Sequence, residues 1–307
     1  MNNEQTPSWH KGELTIQKRV GTDKCMAEIG PKFIRNHMLQ QHRDYFTNLS
    51  MLFIGYTDHY SQSRASVLFG DPGFIESPTE TELIINTQSS MGDFIHQQLK
   101  VGDKIGLVGV EFDTKRRNRL NAIITDINQK SMTIKVLQSF GNCPKYIQPK
   151  TFMANHAYGN FSTTTRSKLN ATDKQLITNA DTFFIASSFD DGQTLSNRGV
   201  DMSHRGGEVG FVKIDAEGKL LVEDYLGNGF FNTLGNLLYN PIASLLFFDW
   251  KNGHILQLTV SSEILWNDVK QATLLGNNSA ERILRFTPIQ IEFINNGLAY
   301  RQRVNHL

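Results

Sequence analysis

The sequence predicts a mainly β fold, a β-barrel with accompanying α-helices, present in two tandem copies. The first observation is an internal repeat, in which residues 51–127 and 182–264 follow one pattern. The second is the order of segments within each copy, where short strand-like segments surround a single helical one. The third is the length of 307 residues, which fits two domains of about 150 residues each. Each copy can bury its own core, so the pair should act as a fused dimer with a ligand cleft between its halves.

The repeat rests on matched apolar and glycine positions at an offset of 137. Gly73-Phe74 matches Gly210-Phe211, and Leu83-Ile84-Ile85 matches Leu220-Leu221-Val222. The other matched pairs are Gly92 with Gly229, Phe94 with Phe231, Ile105 with Ile242, Ile123 with Val260 and Ile127 with Ile264. A repeat of this length is a whole domain, because a solenoid unit is only about 20–50 residues long.

The first copy is expected to contain a sheet and one helix. Its predicted strands are 51–56, 65–69, 74–75, 82–86, 104–111, 120–128 and 132–138. A helix is predicted over 89–101, where apolar residues recur at helical spacing. A further helix is predicted over 35–47, ahead of the first strand. Strands that are not separated by helices favour an antiparallel sheet that closes on itself.

The second copy repeats this order. Its predicted strands are 182–187, 201–204, 209–214, 219–225, 244–250 and 254–265, with a helix over 228–239 that Pro241 ends. The domain boundaries that follow are an N-terminal extension (1–47), a first barrel (48–150), a linker with a short helix (151–180) and a second barrel (181–307).

The composition excludes several classes of function. A net charge of +1 gives no basis for a nucleic-acid surface, which needs clustered excess Lys and Arg. The longest apolar stretch, 242–248, is far shorter than the roughly 20 residues that span a bilayer. The N-terminal residues lack the apolar core of a signal peptide. We therefore expect a cytoplasmic protein that binds neither nucleic acid nor membrane. The nine histidines show no metal-ligand spacing, so no metal site is predicted.

The first candidate site is Ser203-His204-Arg205-Gly206-Gly207. Arg forms paired charge-assisted hydrogen bonds with phosphate, and a glycine-rich backbone can form an anion nest. The segment therefore suits a phosphate ligand. A solvated turn between two strands explains the same residues and stays open as an alternative.

The second candidate site is the segment 227–233, with Gly227, Asn228, Asn232 and Thr233 as its polar or flexible members. It lies between a predicted strand and a predicted helix, so free N–H groups and the helix dipole both favour an anion. An ordinary helix cap is the alternative. A dinucleotide-binding sheet is not expected, because each copy contains only one helix.

The copies have diverged at this point. The first copy carries Asp93 at the corresponding helix start, and a carboxylate there repels a phosphate. The second copy should therefore bind the ligand more strongly. The basic run 115–119 of the first copy could reach across to the second, although a solvated charge run is the alternative.

Taken together, these residues resemble the pyridoxamine 5′-phosphate oxidase-related FMN-binding proteins, in a tandem form that covers most of the chain. The segments that carry the resemblance are Gly12-Glu13 with Gln17, 70–74, 115–119 with Asn121, 141–148, Asp201 with 203–207, Gly210-Phe211, Gly227-Asn228 and 233–236. The resemblance implies two tandem FMN-binding split barrels that form a pseudo-dimer within one chain. FMN is then expected between the barrels, together with a small-molecule redox substrate.

The resemblance also implies roles for individual residues. Ser203, Arg205 and Thr233 would hold the FMN phosphate, with some of Arg116, Arg117 and Arg119. Asp201, Asn228 and Asn232 would hydrogen-bond the ribityl chain or the ring edge. His204 or Lys145 could place a cation near the pyrimidine end of the ring. No residue is assigned as a catalytic acid or base, since the flavin itself would carry the electrons.

The family pattern is not fully kept. A basic Arg-x-Val-Leu-x-Lys strand is replaced here by the segment 201–205, and a Ser-Arg-Lys helix start by 231–233. Pyridoxamine phosphate is therefore not the expected substrate. The leading hypothesis is an FMN-dependent oxidoreductase whose substrate is unassigned. The alternatives are a non-catalytic flavin carrier or sensor, and a haem-binding or haem-degrading protein that uses His204 or His254. Homodimerisation of the whole chain is left open.

Overall fold

The computed structural model describes residues 7–86, 98–225, 227–266 and 282–303. In these ranges the helices are α1 (Lys11–Val20), α2 (Asp23–Phe33), α3 (Gln40–Thr47), α4 (Ala171–Thr178) and α5 (Asn232–Tyr239). The strands of the first half are β1 (Met51–Thr57), β2 (Ser63–Phe69), β3 (Ile75–Thr79), β4 (Glu82–Asn86), β5 (Lys104–Glu111), β6 (Arg116–Ile127) and β7 (Ser131–Gly141). Those that follow are β8 (Phe152–Ala154), β9 (Ser162–Arg166), β10 (Thr182–Phe189), β11 (Gly199–Gly206), β12 (Val212–Ile214), β13 (Leu220–Asp224), β14 (Ile242–Asp249), β15 (His254–Trp266), β16 (Arg282–Asn295) and β17 (Tyr300–Gln302).

Two sheets with the same strand order account for the fold. The first runs β2-β1-β5-β6-β7-β4-β3, and the second runs β11-β10-β14-β15-β16-β13-β12. All neighbouring strands in both sheets are antiparallel. This topology confirms the prediction of a mainly β chain built from two tandem split barrels.

The two halves share a core along their seam. Phe53 of β1 and Phe184 of β10 stack with ring centroids 3.6 Å apart and planes inclined by 14°. One buried apolar cluster contains residues of both halves, including these two rings, Val108 and Leu246. Strands β5 and β11 approach so closely that a Cβ on Gly106 would lie 2.5 Å from the carbonyl oxygen of Val200. Only glycine fits there, so the two halves form a single packed unit.

Two of the predicted helices begin later than expected. The helix predicted over 35–47 begins at Gln40, because the backbone N–H and C=O groups of Arg35 pair with those of Ser139. The helix predicted over 228–239 begins at Asn232, because Gly229 and Phe231 adopt left-handed backbone conformations with φ of 77° and 60°. The helix predicted over 89–101 lies mostly outside the described residues.

The N-terminal extension packs on the second half. Helix α1 crosses α5 where two glycines meet, and a Cβ on Gly12 would lie 2.1 Å from the carbonyl oxygen of Gly235. The linker is also part of the second half, since β9 pairs with β16 and β8 pairs with β17. It contains the short helix α4. The domain boundaries themselves stay predictions.

No helix within the described ranges is both long enough and apolar enough to cross a membrane.

Candidate functional site

A cavity of about 350 Å³ lies between the two halves. The first half contributes residues of β6 and of the segment after β7, and the second half contributes β11, β13 and the start of α5. The lining side chains are Arg117, Arg119, Asn142, Cys143, Lys145, Tyr146, Ser203, His204, Arg205, Phe211, Val222, Glu223, Asp224, Tyr225, Asn228, Phe231, Asn232, Thr233 and Leu234, with Gly206, Gly227 and Gly229. We call this space the first cleft.

Strand alternation decides which arginines of the basic run reach the first cleft. Successive side chains of a strand point to opposite faces, so Arg117 and Arg119 share one face of β6 and Arg116 lies on the other. Arg117 and Arg119 contact residues of the second half. Arg116 is exposed and lies over the ring of Tyr45, 5.0 Å from its centroid. The inclusion of Arg116 among the phosphate ligands is therefore wrong on geometric grounds.

Arg119 is buried at 5% exposure and is held by partners from the second half. Its two terminal nitrogens donate to Asp201 Oδ1 at 2.7 Å and to Asn232 Oδ1 at 3.0 Å. Asp201 also accepts from Asn121 at 2.9 Å and from Asn236 at 2.8 Å. Burying an ion pair is tolerated when its remaining hydrogen-bonding groups are satisfied, a condition that the Asp201 carboxylate approaches and the Nε of Arg119 does not meet among the described residues.

This network changes two of the predicted roles. Asp201 does not line the first cleft, since its carboxylate lies behind Arg119 and is used by Arg119, Asn121 and Asn236. The side chain of Asn232 lines the cleft, but its oxygen accepts from Arg119 and its nitrogen contacts Glu13 of α1. Neither side chain is available to bond a ribityl chain. Asp201 and Asn232 instead fix the position of Arg119.

Arg117 has no carboxylate partner among the described residues. It donates to the ring nitrogen Nδ1 of His204 at 2.9 Å and to the carbonyl oxygen of Cys143 at 2.8 Å. Removal from water, followed by the nearby charges of Arg119 and Arg205, lowers the pKa of Arg117 to about 10. The guanidinium is still charged at neutral pH and lacks a counter-ion.

His204 is neutral, so it cannot supply the cation predicted for it. Burial first, and then the charges of Arg117, Arg205 and Lys150, hold the pKa of His204 well below its ordinary value. A guanidinium can only donate, so Nδ1 is the acceptor and the proton lies on Nε2. That N–H has no hydrogen-bond partner among the described residues.

Arg205 shares its counter-ion with a second arginine. It donates to Asp224 Oδ1 at 2.8 Å, and Arg282 donates to Asp224 Oδ2 at 2.9 Å. Two guanidinium groups therefore face one carboxylate. The Arg205 side chain is partly exposed, whereas Arg282 and Asp224 are buried.

The N-terminus of α5 opens on the first cleft. Phe231 is the N-cap residue, but its side chain cannot accept a hydrogen bond, so the N–H groups at the helix start are uncapped. Thr233 in the first turn donates to Ser203 Oγ of β11 at 3.1 Å. A left-handed phenylalanine is strained, and such backbone strain is concentrated at functional sites.

The rim of the first cleft is aromatic. Tyr146 and Tyr225, one from each half, stack with ring centroids 5.4 Å apart. The exposed ammonium of Lys145 lies 4.9 Å from the centroid of the Tyr146 ring. Asn228 contributes a turn in which its Oδ1 accepts from the N–H of Phe230 at 3.1 Å. Tyr146 also has a left-handed backbone, with φ of 70°.

Four buried nitrogen donors in the walls of the first cleft have no partner among the described residues. They are the Nε atoms of Arg117, Arg119 and Arg205 and the Nε2 atom of His204. Native proteins leave few buried donors unpaired, so these groups require a partner such as an ordered water, an ion or a ligand. An anionic ligand with several acceptor oxygens would match these donors.

The structure thus brings together ten of the predicted residues from both halves. These are Arg117, Arg119, Lys145, Ser203, His204, Arg205, Gly227, Asn228, Asn232 and Thr233. Tyr225 and the buried acid Asp224 were not predicted, because neither belongs to a motif and only the sheet brings them to the cleft. Among the described residues no group of three or more His, Cys, Asp and Glu side chains could hold a metal ion.

No family model and no curated protein matches this chain. Several solved structures match, each over about the length of one half. An FAD-binding protein from Mesorhizobium loti matches at 16% identity and a TM-score of 0.29, over 43% of this chain and 96% of its own. An FMN-binding protein from Syntrophomonas wolfei matches at 10% identity and a TM-score of 0.28, over 42% of this chain and 95% of its own. A third match is a protein from Clostridium acetobutylicum that is related to general stress protein 26 of the pyridoxinephosphate oxidase family. Its identity is 14% and its TM-score 0.28, over 44% of this chain and 92% of its own.

Proposed function

We propose that the first cleft binds a phosphorylated flavin, FMN, and that the protein is an oxidoreductase whose substrate is unassigned. One observation carries this proposal: three arginines and a histidine with buried N–H donors that lack a partner among the described residues line the same cleft as the uncapped N-terminus of α5. The sequence resemblance to FMN-binding split barrels supports the choice of ligand.

The residues of the first cleft fit a phosphorylated aromatic ligand. Its volume of about 350 Å³ lies within the roughly 300–1,000 Å³ typical of small-molecule sites. Arg117, Ser203, Thr233 and the first N–H groups of α5 would hold the phosphate. Lys145 and the two rim tyrosines would contact the ring, since aromatic side chains stack on planar ligands.

Bound FMN would accept and return electrons, which is chemistry that no side chain in the cleft supplies. The chain's own residues bind, orient and exclude water. Arg119 stays fixed by its ion pair with Asp201, and His204 presents a neutral N–H donor. Because His204 is neutral and its Nδ1 is occupied, it does not act as an acid at neutral pH.

The alternative of haem binding is not favoured by the histidine geometry. Iron needs a ring nitrogen with a free lone pair. In His204, Nδ1 accepts from Arg117, so Nε2 carries the proton. In His254, Nδ1 accepts from the N–H of Asn296 at 3.2 Å, and the residue does not line the first cleft. Neither ring presents an unprotonated nitrogen to that space.

Neighbouring arginines of the same strand provide the test. Replacing Arg117 removes a charge-assisted contact worth about 1.5–3 kcal/mol, so R117M should weaken FMN binding by roughly 10- to 150-fold. The matched control is R116M, which removes an exposed cation outside the cleft and should leave the affinity unchanged. Flavin fluorescence quenching during an FMN titration measures both.

Wild-type protein that leaves FMN fluorescence and absorbance unchanged would contradict the proposal, and so would equal losses in R117M and R116M. The catalytic part is tested separately. Anaerobic NAD(P)H, with or without a flavin reductase, should bleach the absorbance of the bound flavin. If FMN binds but is never reduced, the protein is a flavin carrier rather than an oxidoreductase.

A further inference from the structure

A second cavity, of about 590 Å³, lies on the other side of the seam. The first half contributes β1, β2 and the turn between them, and the second half contributes β9, β15 and β16. Its polar lining includes Arg64, Ser66, Thr163, Gln257, Gln290 and Glu292. We call this space the second cleft.

Sheet register shows that the second cleft is the counterpart of the first. The stacked rings of Phe53 and Phe184 occupy equivalent positions of β1 and β10. The residue after each ring pairs with a serine on the neighbouring strand, so Ser66 of β2 is equivalent to Ser203 of β11. The same register gives the other equivalent positions of the two halves. Arg64 is equivalent to Asp201, Val67 to His204, Leu68 to Arg205, Ile255 to Arg117, Gln257 to Arg119 and Thr259 to Asn121.

The groups that suit the first cleft to a phosphate are replaced in the second. Of the positions equivalent to the three arginines and His204, only Gln257 lines the second cleft, whereas Leu68, Ile255 and Val67 are buried in apolar clusters. An anionic ligand therefore loses the charge-assisted donors that it would find in the first cleft.

In the second cleft a single guanidinium, that of Arg64, faces two carboxylates, those of Asp58 and Glu292. Arg64 donates to both carboxylate oxygens of Glu292 at 3.0 Å and to Thr259 Oγ1 at 3.1 Å. Glu292 also accepts from Gln290 at 2.6 Å. Asp58 Oδ1 accepts two backbone N–H groups of its own turn. Because its one cation is already paired and its carboxylates outnumber it, the second cleft disfavours an anion.

Uncharged hydrogen-bonding groups nevertheless face this space. Ser66 is 4% exposed, lines the second cleft, and its hydroxyl has no hydrogen-bond partner among the described residues. Gln257 is also buried and donates through Nε2 to the carbonyl oxygen of Ala65 at 2.5 Å. Tyr56 and Phe161 add aromatic surface to the lining.

We propose that the second cleft is a separate binding site for an uncharged aromatic ligand with hydroxyl or amide groups, such as a nucleoside or a phosphate-free flavin. Neutral donors and acceptors match the amides and hydroxyls, and the surplus of carboxylates over cations disfavours a phosphorylated competitor. The protein would then carry two clefts of one ancestry with different ligand chemistry. This inference does not depend on whether the first cleft binds FMN.

Riboflavin and FMN form a matched probe pair, because they differ only by the phosphate. Riboflavin should bind the wild-type chain at a site that two substitutions weaken. T163W fills the mouth of the second cleft from an exposed strand position and should lower the affinity at least tenfold. S66A removes one hydrogen bond and should lower it by about threefold to tenfold. S162W, on the opposite face of the same strand, is the control and should change nothing.

Because the Ser66 hydroxyl has no partner in the described part of the chain, S66A should fold with an unchanged thermal midpoint, which separates a ligand role from a structural one. Three results would overturn the proposal. They are no riboflavin binding up to its solubility limit, riboflavin binding that T163W leaves unchanged, and FMN competing with riboflavin for the site that T163W closes.

Discussion

The two clefts are built by equivalent strands, and an ion pair joins the two halves at each of them, but the equivalent strand supplies the anion in one pair and the cation in the other. In the first cleft the strand of one half supplies the cation, Arg119, and the other half supplies the anion, Asp201. In the second cleft β2 supplies the cation, Arg64, at the position that Asp201 occupies in its counterpart. The charge at this position of the repeat has been reversed, while the backbone has been kept.

The surroundings of the two ion pairs differ as well. Arg119 and Asp201 are 6% and 8% exposed in their side chains, whereas Arg64 and Glu292 are 16% and 19% exposed. The N-terminal extension contacts the wall of the first cleft, where Glu13 of α1 contacts Asn232 and thereby braces Arg119. A duplicated seam can thus hold one site with a deeply buried ion pair and further cations, and one site with a more exposed ion pair and a surplus of carboxylates.

The largest expected effect is on the buried ion pair. D201N leaves the Arg119 guanidinium without its counter-charge in a buried position, which should lower the free energy of unfolding by about 3–5 kcal/mol. E292Q changes the more exposed pair and should cost about 1 kcal/mol or less. Urea denaturation of both variants, with the wild-type m-value as a check on two-state behaviour, measures the difference. Equal losses would remove the distinction between the clefts.

A smaller effect concerns pH. Burial is the main cause that lowers the pKa of His10, which lies beside the first cleft, from 6.5 to about 4. Between pH 6.5 and about 4, His10 therefore binds a proton in the unfolded chain but not in the folded chain. Stability should be complete above about pH 6.5 and should fall by about 2–3 kcal/mol as the pH drops to 4.

The variant H10N keeps an N-cap acceptor for α1 but cannot titrate, so its stability should depend less steeply on pH over this range. H37N, at an exposed position, is the control and should keep the wild-type slope. Thermal unfolding between pH 4 and 8 reports both slopes. An H10N slope equal to that of the wild type would show that His10 does not set it.

The smallest effect compares the equivalent serines. Ser203 accepts a hydrogen bond from Thr233, so S203A should lower the free energy of unfolding by about 1 kcal/mol. Ser66 has no such partner among the described residues, so S66A should be neutral or slightly stabilising. Chemical denaturation resolves a difference of this size. A larger loss in S66A than in S203A would contradict the assignment of free hydroxyl groups.

The sequence was sufficient to predict the duplicated fold, since a long-range repeat of apolar and glycine positions reports two similar cores. It also predicted that Arg117 and Arg119 reach across to the second half. Strand alternation could have separated Arg116 from them. The sequence could not show that Asp201 and Asn232 accept hydrogen bonds from Arg119, because side-chain pairing across two sheets leaves no local sequence pattern. The contact of Glu13 with Asn232 spans 219 residues and is equally invisible.

The second cleft was not predicted for the same physical reason. Ser66, Gln257 and Glu292 lie on three strands that are far apart in sequence, and none belongs to a recognisable motif. Only the register of the two sheets shows that Ser66 and Gln257 occupy the positions that Ser203 and Arg119 fill in the first cleft.

One titration tests the central claim that phosphate recognition belongs to the first cleft alone. FMN affinity should be measured by fluorescence for wild type, R117M and T163W under identical conditions. We expect R117M to lose at least tenfold in affinity and T163W to bind FMN as the wild type does. If T163W loses FMN binding while R117M retains it, the two clefts have been assigned the wrong way round.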